Sequence, residues 1–290
     1  MLFLVRARPA TAQSSALVVT GDSDGDGFSD EQELAWNTDP HNLNSHPDLE
    51  RRIVGWWPLD EGSGTTVTDA SGNNLNGALL GAQLPTWTSD ASGAALSFDG
   101  QHGAVIVPAS SQLAPTSGVT VVAWVKISNG VAGTVAGQST MDGNQSAYAL
   151  SVINDRLAAQ IRLRDADWPL YGHRVITDGQ WHHLGFSYDG YEYALYLDGQ
   201  LEVRTHLSGT QTPSSGQLVI GDILAEIRDV GVYARAIHDS ELKLLHEVIS
   251  TSTTALTFRQ PSSPPFLFAR RHERAPIRPT QIAMRQKPMP

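Results

Sequence analysis

Apolar residues recur at every second place along residues 119–127. Val119, Val121, Ala123, Val125 and Ile127 share one face of a strand, and Val122 and Trp124 fall on the other. A strand with apolar side chains on both faces is expected to be buried on both sides of its sheet. Tyr191, Tyr193, Leu195 and Leu197 alternate in the same way, and Asp198-Gly199 then turns the chain into Leu201–His206. Asp-Gly readily adopts the positive φ angles of a tight hairpin, and Asp189-Gly190 makes a similar break upstream. His182 alternates with Leu184, Phe186 and Tyr188, which predicts a hydrogen-bonded core histidine. Trp124 and Trp181 are expected to bring large apolar areas to the core-facing strands. Only Glu241–Val248 has helical spacing; Asp239 or Ser240 would cap it and Leu244 and Leu245 would face inward.

Composition agrees with many strands and tight turns: 290 residues carry 26 glycines and no cysteine. The lack of cysteine excludes disulfides, zinc-thiolate sites and thiol catalysis. The net charge of −10 is divided unevenly, because residues 250–290 hold seven bases and the single acid Glu273. The acidic remainder would repel nucleic-acid phosphates and suits divalent cations. No apolar run approaches the roughly 18–20 residues of a membrane span. Four segments follow: a leader or signal remnant at 1–20, marked by Ala10-Thr11-Ala12; an Asp-rich unit at 21–48; an alternating β region at 53–249; and a basic, Pro-rich tail at 250–290, expected to be disordered.

Within the Asp-rich unit, Asp22 to Glu33 fit a twelve-residue calcium loop. Asp22, Asp24, Asp26, Asp30 and Glu33 occupy positions 1, 3, 5, 9 and 12, and Gly27 occupies position 6. Ca²⁺ is a hard ion that takes six to eight oxygens, so a short loop must wrap it with alternate side chains. Phe28 would offer its carbonyl and Glu33 would close the site through both oxygens. Gly21-Asp22-Ser23-Asp24-Gly25 also matches the G-x-S-x-G nucleophile elbow, but without the strand and helix that an elbow requires.

The run from Asp22 through Asn37-Thr38-Asp39-Pro40 resembles a bacterial thrombospondin type 3 repeat, with Asn37 where glycine is usual. From Ile53 onward the order of landmarks resembles laminin-G-like jelly rolls of the concanavalin A-like type. They include Trp57-Pro58-Leu59-Asp60-Glu61, Asp69-Ala70-Ser71-Gly72-Asn73, Leu96-Ser97-Phe98-Asp99-Gly100, Gly179-Gln180-Trp181-His182-His183-Leu184, Leu195-Tyr196-Leu197-Asp198-Gly199 and Ile227-Arg228-Asp229-Val230-Gly231. Asp222–Glu226 stands as a shortened loop where that family has a longer stretch. The resemblance implies an all-β fold of two antiparallel sheets in a jelly-roll sandwich. It also implies a structural calcium near Asp60, Glu61, Asp69 and Asp229; turn formation by those acids is the alternative.

Some jelly rolls of this kind are glycosidases, which need two carboxylates across one sugar ring. No E-x-D-x-x-E run is present, and Glu192, Glu202 and Glu226 are scattered, so no catalytic residue is assigned. The expectation is a non-catalytic, calcium-binding recognition module. It would be secreted or at the surface of a bacterium, as part of a larger multidomain protein, and would bind a glycan or an extracellular protein, for example in adhesion. The alternative is a glycoside hydrolase, or an accessory domain of a larger secreted polysaccharide-degrading enzyme. Trp168 and Tyr171, in an expected loop Asp165–His173, are the candidates for stacking on sugar rings; their other reading is cover for a sheet edge.

Overall fold

The computed structural model describes residues 21–251 apart from 22, 25–27, 29, 43–44, 46–51, 129, 131 and 140–145. The expected leader and almost all of the basic tail lie outside these residues.

Helix α1 (Asp30–Trp36) comes first. Strands β1 (Ile53–Trp57), β2 (Thr66–Val67), β3 (Gly77–Gly81), β4 (Thr86–Asp90), β5 (Gly93–Asp99), β6 (Gly103–Val107), β7 (Val119–Lys126) and β8 (Gly133–Ser139) follow. Then come β9 (Ser146–Ile153), β10 (Arg156–Leu163), β11 (Ala166–Val175), β12 (Trp181–Tyr188), β13 (Glu192–Leu197), β14 (Gln200–His206), β15 (Leu218–Asp222), β16 (Leu224–Tyr233) and helix α2 (Asp239–Thr251). Two eight-stranded antiparallel sheets result. One runs β14-β13-β12-β7-β16-β5-β4 with β1 beside β16, and the other runs β11-β10-β9-β8-β15-β6-β3-β2. This is the two-sheet jelly-roll sandwich that the resemblance to laminin-G-like domains implies.

The period-two reading of β7 holds on both faces. Val119, Val121, Ala123, Val125 and Ile127 enter the core between the sheets, and Val122 and Trp124 enter a second cluster on the outer side. Leu242, Leu244 and Leu245 of α2 cover that outer side, so the helix roofs the first sheet. The Asp198-Gly199 hairpin takes the expected positive φ at both residues (53° and 71°), and its glycine lets the turn approach α2, since a Cβ there would lie 3.0 Å from that of His246. Gly221 is needed for a different reason: at φ 90° its missing side chain leaves the space filled by the Phe98 ring.

Four local expectations are corrected. Asp165–His173 is not a loop: Arg164 and Asp165 form a turn with positive φ, and β11 follows at once. Asp222–Glu226 is not a loop either, because β15 ends at Asp222 and β16 begins at Leu224, with Glu226 paired to Ser97 and Lys126. Trp181 is only partly buried, against the outer cluster. Tyr191 lies outside β13 and is 59% exposed.

Candidate functional site

In the calcium loop, Asp22 and Asp26 lie outside the described residues, whereas Asp24, Phe28, Asp30 and Glu33 are described. Ser23 donates its backbone N–H to Asp30 Oδ1 (2.8 Å) and its hydroxyl to Asp30 Oδ2 (2.7 Å). The Asp30 N–H donates to the Gly21 carbonyl at 2.6 Å, which ties the two ends of the loop together. The Ser23 bonds hold the Asp30 carboxyl below the usual carboxylate range. Ser23 is thus a loop-closing donor. Helix α1 starts at Asp30 and carries Glu33 inward to 0% exposure. Were calcium bound, Asp24, the Phe28 carbonyl, Asp30 and Glu33 are the described groups that would hold it, although the described acids here do not gather as a metal-holding group. Asn37 takes the glycine-like role at the end of α1 with φ 58°, and Thr38 donates from its N–H (2.9 Å) and hydroxyl (3.1 Å) to the Glu33 carbonyl.

The four acids of the sandwich have separate environments. Asp69 is saturated by backbone donors: Oδ1 accepts from the N–H of Trp56 (3.0 Å) and Ser71 (2.9 Å), and Oδ2 from that of Leu75 (2.9 Å). Glu61 Oε1 accepts from the Thr68 N–H at 2.6 Å, while its Oε2 is buried with no hydrogen-bond partner. Asp229 is buried at φ 51° in the irregular stretch of β16, and its N–H donates to the Pro58 carbonyl at 3.0 Å. Burial pushes its carboxyl up to about 7, the nearby Asp60 adds to this, and Arg228, with Nε 3.8 Å from Asp229 Oδ2, opposes it. Among the described residues, no three His, Asp or Glu side chains gather as a group that could hold a metal ion. Asp60 acts on Asp229, but Asp69 is committed to the turn at 69–76.

At the edge of the second sheet, β11 pairs with β10 in continuous register from Asp167 to Tyr171. Trp168 stands opposite Ile161, a core residue, and Tyr171 stands opposite Ala158. Residues three apart on one strand point to opposite faces. Trp168 (47% exposed) and Tyr171 (50% exposed) therefore cannot form one stacking platform. Trp168 lies on the inner face, opposite Ile161, whereas the Arg162–Asp167 ion pair (2.7 Å), one residue along each strand, lies on the other face with Tyr171.

The three scattered glutamates are each engaged. Glu192 faces Arg204 (3.7 Å) and Glu226 faces Lys126 (3.3 Å). Glu202 Oε1 accepts from the N–H groups of His173 and Arg174 at 2.7 Å each. The last contact ties edge strand β14 to the irregular stretch of β11.

The family profile described as the concanavalin A-like lectin/glucanases superfamily matches residues 99–243, half of the chain. The chain belongs to this superfamily. The profile of the bacterial TSP3 repeat matches residues 22–42, over the loop and helix α1. No curated protein matches the chain in sequence. Among solved structures, the binding domain of Paraclostridial Mosquitocidal Protein 1 superposes with a TM-score of 0.57 at 13% identity, covering 68% of this chain and 52% of that one. The binding domain of botulinum neurotoxin serotype D/C gives 0.56 at 13% identity, covering 69% and 53%. Domain 4 of AbnA, an extracellular GH43 arabinanase of Geobacillus stearothermophilus solved with arabinotriose, gives 0.54 at 17% identity, covering 67% and 98%. The chain spans about half the length of the two toxin binding domains. The two toxin neighbours are binding domains, and at such identities the likeness is one of fold.

One constellation in this superfamily member has no signal in sequence. Arg228 lies between the rings of Trp124 (5.4 Å) and Trp181 (4.7 Å), and Lys126 stands 5.8 Å from Trp181. Trp124 also stacks on His246 of α2 (5.2 Å) and lies 5.4 Å from His183. Burial drives His183 down to about 3, with His246 adding to the effect. These residues come from β7, β12, β16 and α2, so no local spacing could have joined them.

Proposed function

We propose that the chain is an extracellular, calcium-binding recognition module without catalytic activity, and that its ligand is carbohydrate. The observation that carries this reading is Trp168, a large aromatic ring half in water on the edge strand β11. Exposed indoles of this kind suit the apolar faces of sugar rings. The AbnA domain is a complex with arabinotriose, and cell entry of botulinum neurotoxin type C depends on interaction with two ganglioside molecules; both favour a glycan. The binding domain of botulinum neurotoxin DC forms a complex with rat synaptotagmin II, so a protein ligand is the second reading, and Tyr171 on the opposite face would serve it. Service as an accessory domain of a larger polysaccharide-degrading enzyme needs the same Trp168 face.

In this reading the Asp22–Glu33 loop holds calcium. Asp60 and Asp229 form at most a second, weaker cation site, because Asp69 is occupied by backbone donors. A glycan array probed with wild type, Trp168→Ala and Tyr171→Ala tests the proposal. Loss of about tenfold or more in affinity with Trp168→Ala, and none with Tyr171→Ala, is expected, since stacking on a ring is worth about 1–3 kcal/mol in comparable aromatic platforms. Undiminished glycan binding by Trp168→Ala would remove this face from the site.

A further inference from the structure

We infer that the cleft between the β3–β4 loop and strands β4, β5 and β16 holds one neutral sugar ring at the end of a glycan. The inference rests on the carbohydrate reading of the chain, but on none of the residues of the Trp168 face. Leu96 and Phe98 of β5 enter the core, so Ser97 and Asp99 turn to the outer face of the first sheet. Thr86 of β4 stands opposite Ser97, and Leu224 of β16 stands opposite Asp99. With Leu84 and Pro85 of the preceding loop, these four residues line a cleft of about 170 Å³. β4 closes the first sheet at the margin away from β14, whose Glu202 reaches β11, so the cleft and Trp168 lie at opposite margins of the sandwich.

The cleft is held in shape by its backbone. A Cβ at residue 103 would overlap the Gln83 carbonyl, and one at Gly100 would lie 2.6 Å from the Leu224 nitrogen. Two glycines thus let the turn at 99–103 seat both walls, and Pro85 stiffens the rim. Leu84 and Leu224 are exposed and offer apolar surface to the C–H face of a ring. The hydroxyls of Thr86 and Ser97 make no hydrogen bond within the described residues, which leaves both for a ligand. Asp99 Oδ1 accepts from the N–H groups of Gln101 and His102 (2.9 Å each), and His102 Nδ1 lies 2.6 Å from Oδ2. These donors hold the carboxyl at about 2, below the usual carboxylate range. A carboxylate fixed in this way accepts from ring hydroxyls and repels an acidic sugar. Drug-sized ligands fill pockets of about 300–1,000 Å³, so this smaller cleft suits a single ring, with the rest of the glycan in water.

Amide NMR titration of the full chain tests this, with the methyl glycosides of glucose, galactose, mannose and arabinose as probes and that of glucuronic acid as the acidic control. At least one neutral glycoside should give saturable shifts at Ser97, Asp99 and Leu224, and the glucuronide should bind about tenfold or more weakly. Asp99→Asn keeps the shape and removes the charge, and should weaken the neutral probe about tenfold. Thr86→Val keeps the branched outline without the hydroxyl, and should weaken it about threefold. Saturable shifts around Trp168 and none in the cleft would overturn the inference and leave the Trp168 face standing. Undiminished affinity in both variants, or a glucuronide that binds as well as the neutral probes, would also overturn it. No saturable shift anywhere with any glycoside would count against the cleft and the carbohydrate reading together.

Discussion

The two apolar layers of this sandwich are built from different chemistry. Between the sheets lie Val, Leu and Ile, together with Phe186, Tyr148, Tyr188 and Tyr193. Tyr148 and Tyr188 have placed their hydroxyls on the carbonyls of Leu113 (2.9 Å) and Gly209 (2.6 Å). The outer layer beneath α2 holds Trp56, Trp124 and Tyr233, and beside them stand His183, His246 and Arg228. There the Trp124 Nε1, His183 Nε2 and His246 Nδ1 atoms are buried with no hydrogen-bond partner. The Tyr193 hydroxyl is buried without a partner, but a neutral phenol, like the apolar groups around it, takes up no proton in the acid range. A layer with buried imidazoles can respond to a proton.

The largest effect belongs to the inner layer. Phe186 is fully buried and meets Tyr193 edge-on at 6.0 Å. Phe186→Ala should cost about 3–5 kcal/mol in chemical denaturation, by nearly the same amount at pH 5 and pH 8. A strong dependence of that cost on pH would erase the distinction between the layers.

The next effect belongs to the outer layer. His183 is neutral in both folded and unfolded chains well above pH 6.5, where it contributes nothing. Below 6.5 the unfolded chain takes up a proton that the folded chain refuses until about pH 3, so stability falls across that window. The loss should reach roughly 3 kcal/mol by pH 4. His182 and Asp229 act in the opposite sense. Hydrogen bonding to Asp198 raises the His182 pKa, and the Asp229 carboxyl is pushed up to about 7; each adds stability as pH falls toward its unfolded value. The difference between wild type and His183→Leu isolates the effect, and parallel stability curves for the two would contradict it.

Sequence reasoning reached the inner layer because period-two alternation is a local signal. β7 shows this, and so does His182, which bonds through its ring to Asp198 (3.0 Å) and Asp178 (3.2 Å) at the rim of the core. It reached the hairpin at Asp198-Gly199 for the same reason. It missed Arg228 between two tryptophans, and it placed Trp181 too deep, because contacts among β7, β12 and β16 depend on sheet order. It also put Trp168 and Tyr171 together in a loop, where the register of β11 separates them. The TSP3 repeat was legible as a pattern; the packing of Phe28 against the outer cluster was not, because position 7 of that pattern is defined by its carbonyl and is silent about its side chain.

Native-state hydrogen exchange at pH 7.5 and pH 5.0, in constant calcium and corrected for intrinsic rates, tests the contrast between the layers most directly. Opening α2 would release His183 and His246, whose ordinary pKa values lie well above pH 5 and are depressed by burial in the folded chain. The amides of Leu244 and Leu245 should therefore lose protection by about tenfold or more on acidification, while those of Tyr148, Leu150 and Val152 in β9 keep theirs. An equal loss in both places, or none in α2, would contradict the account.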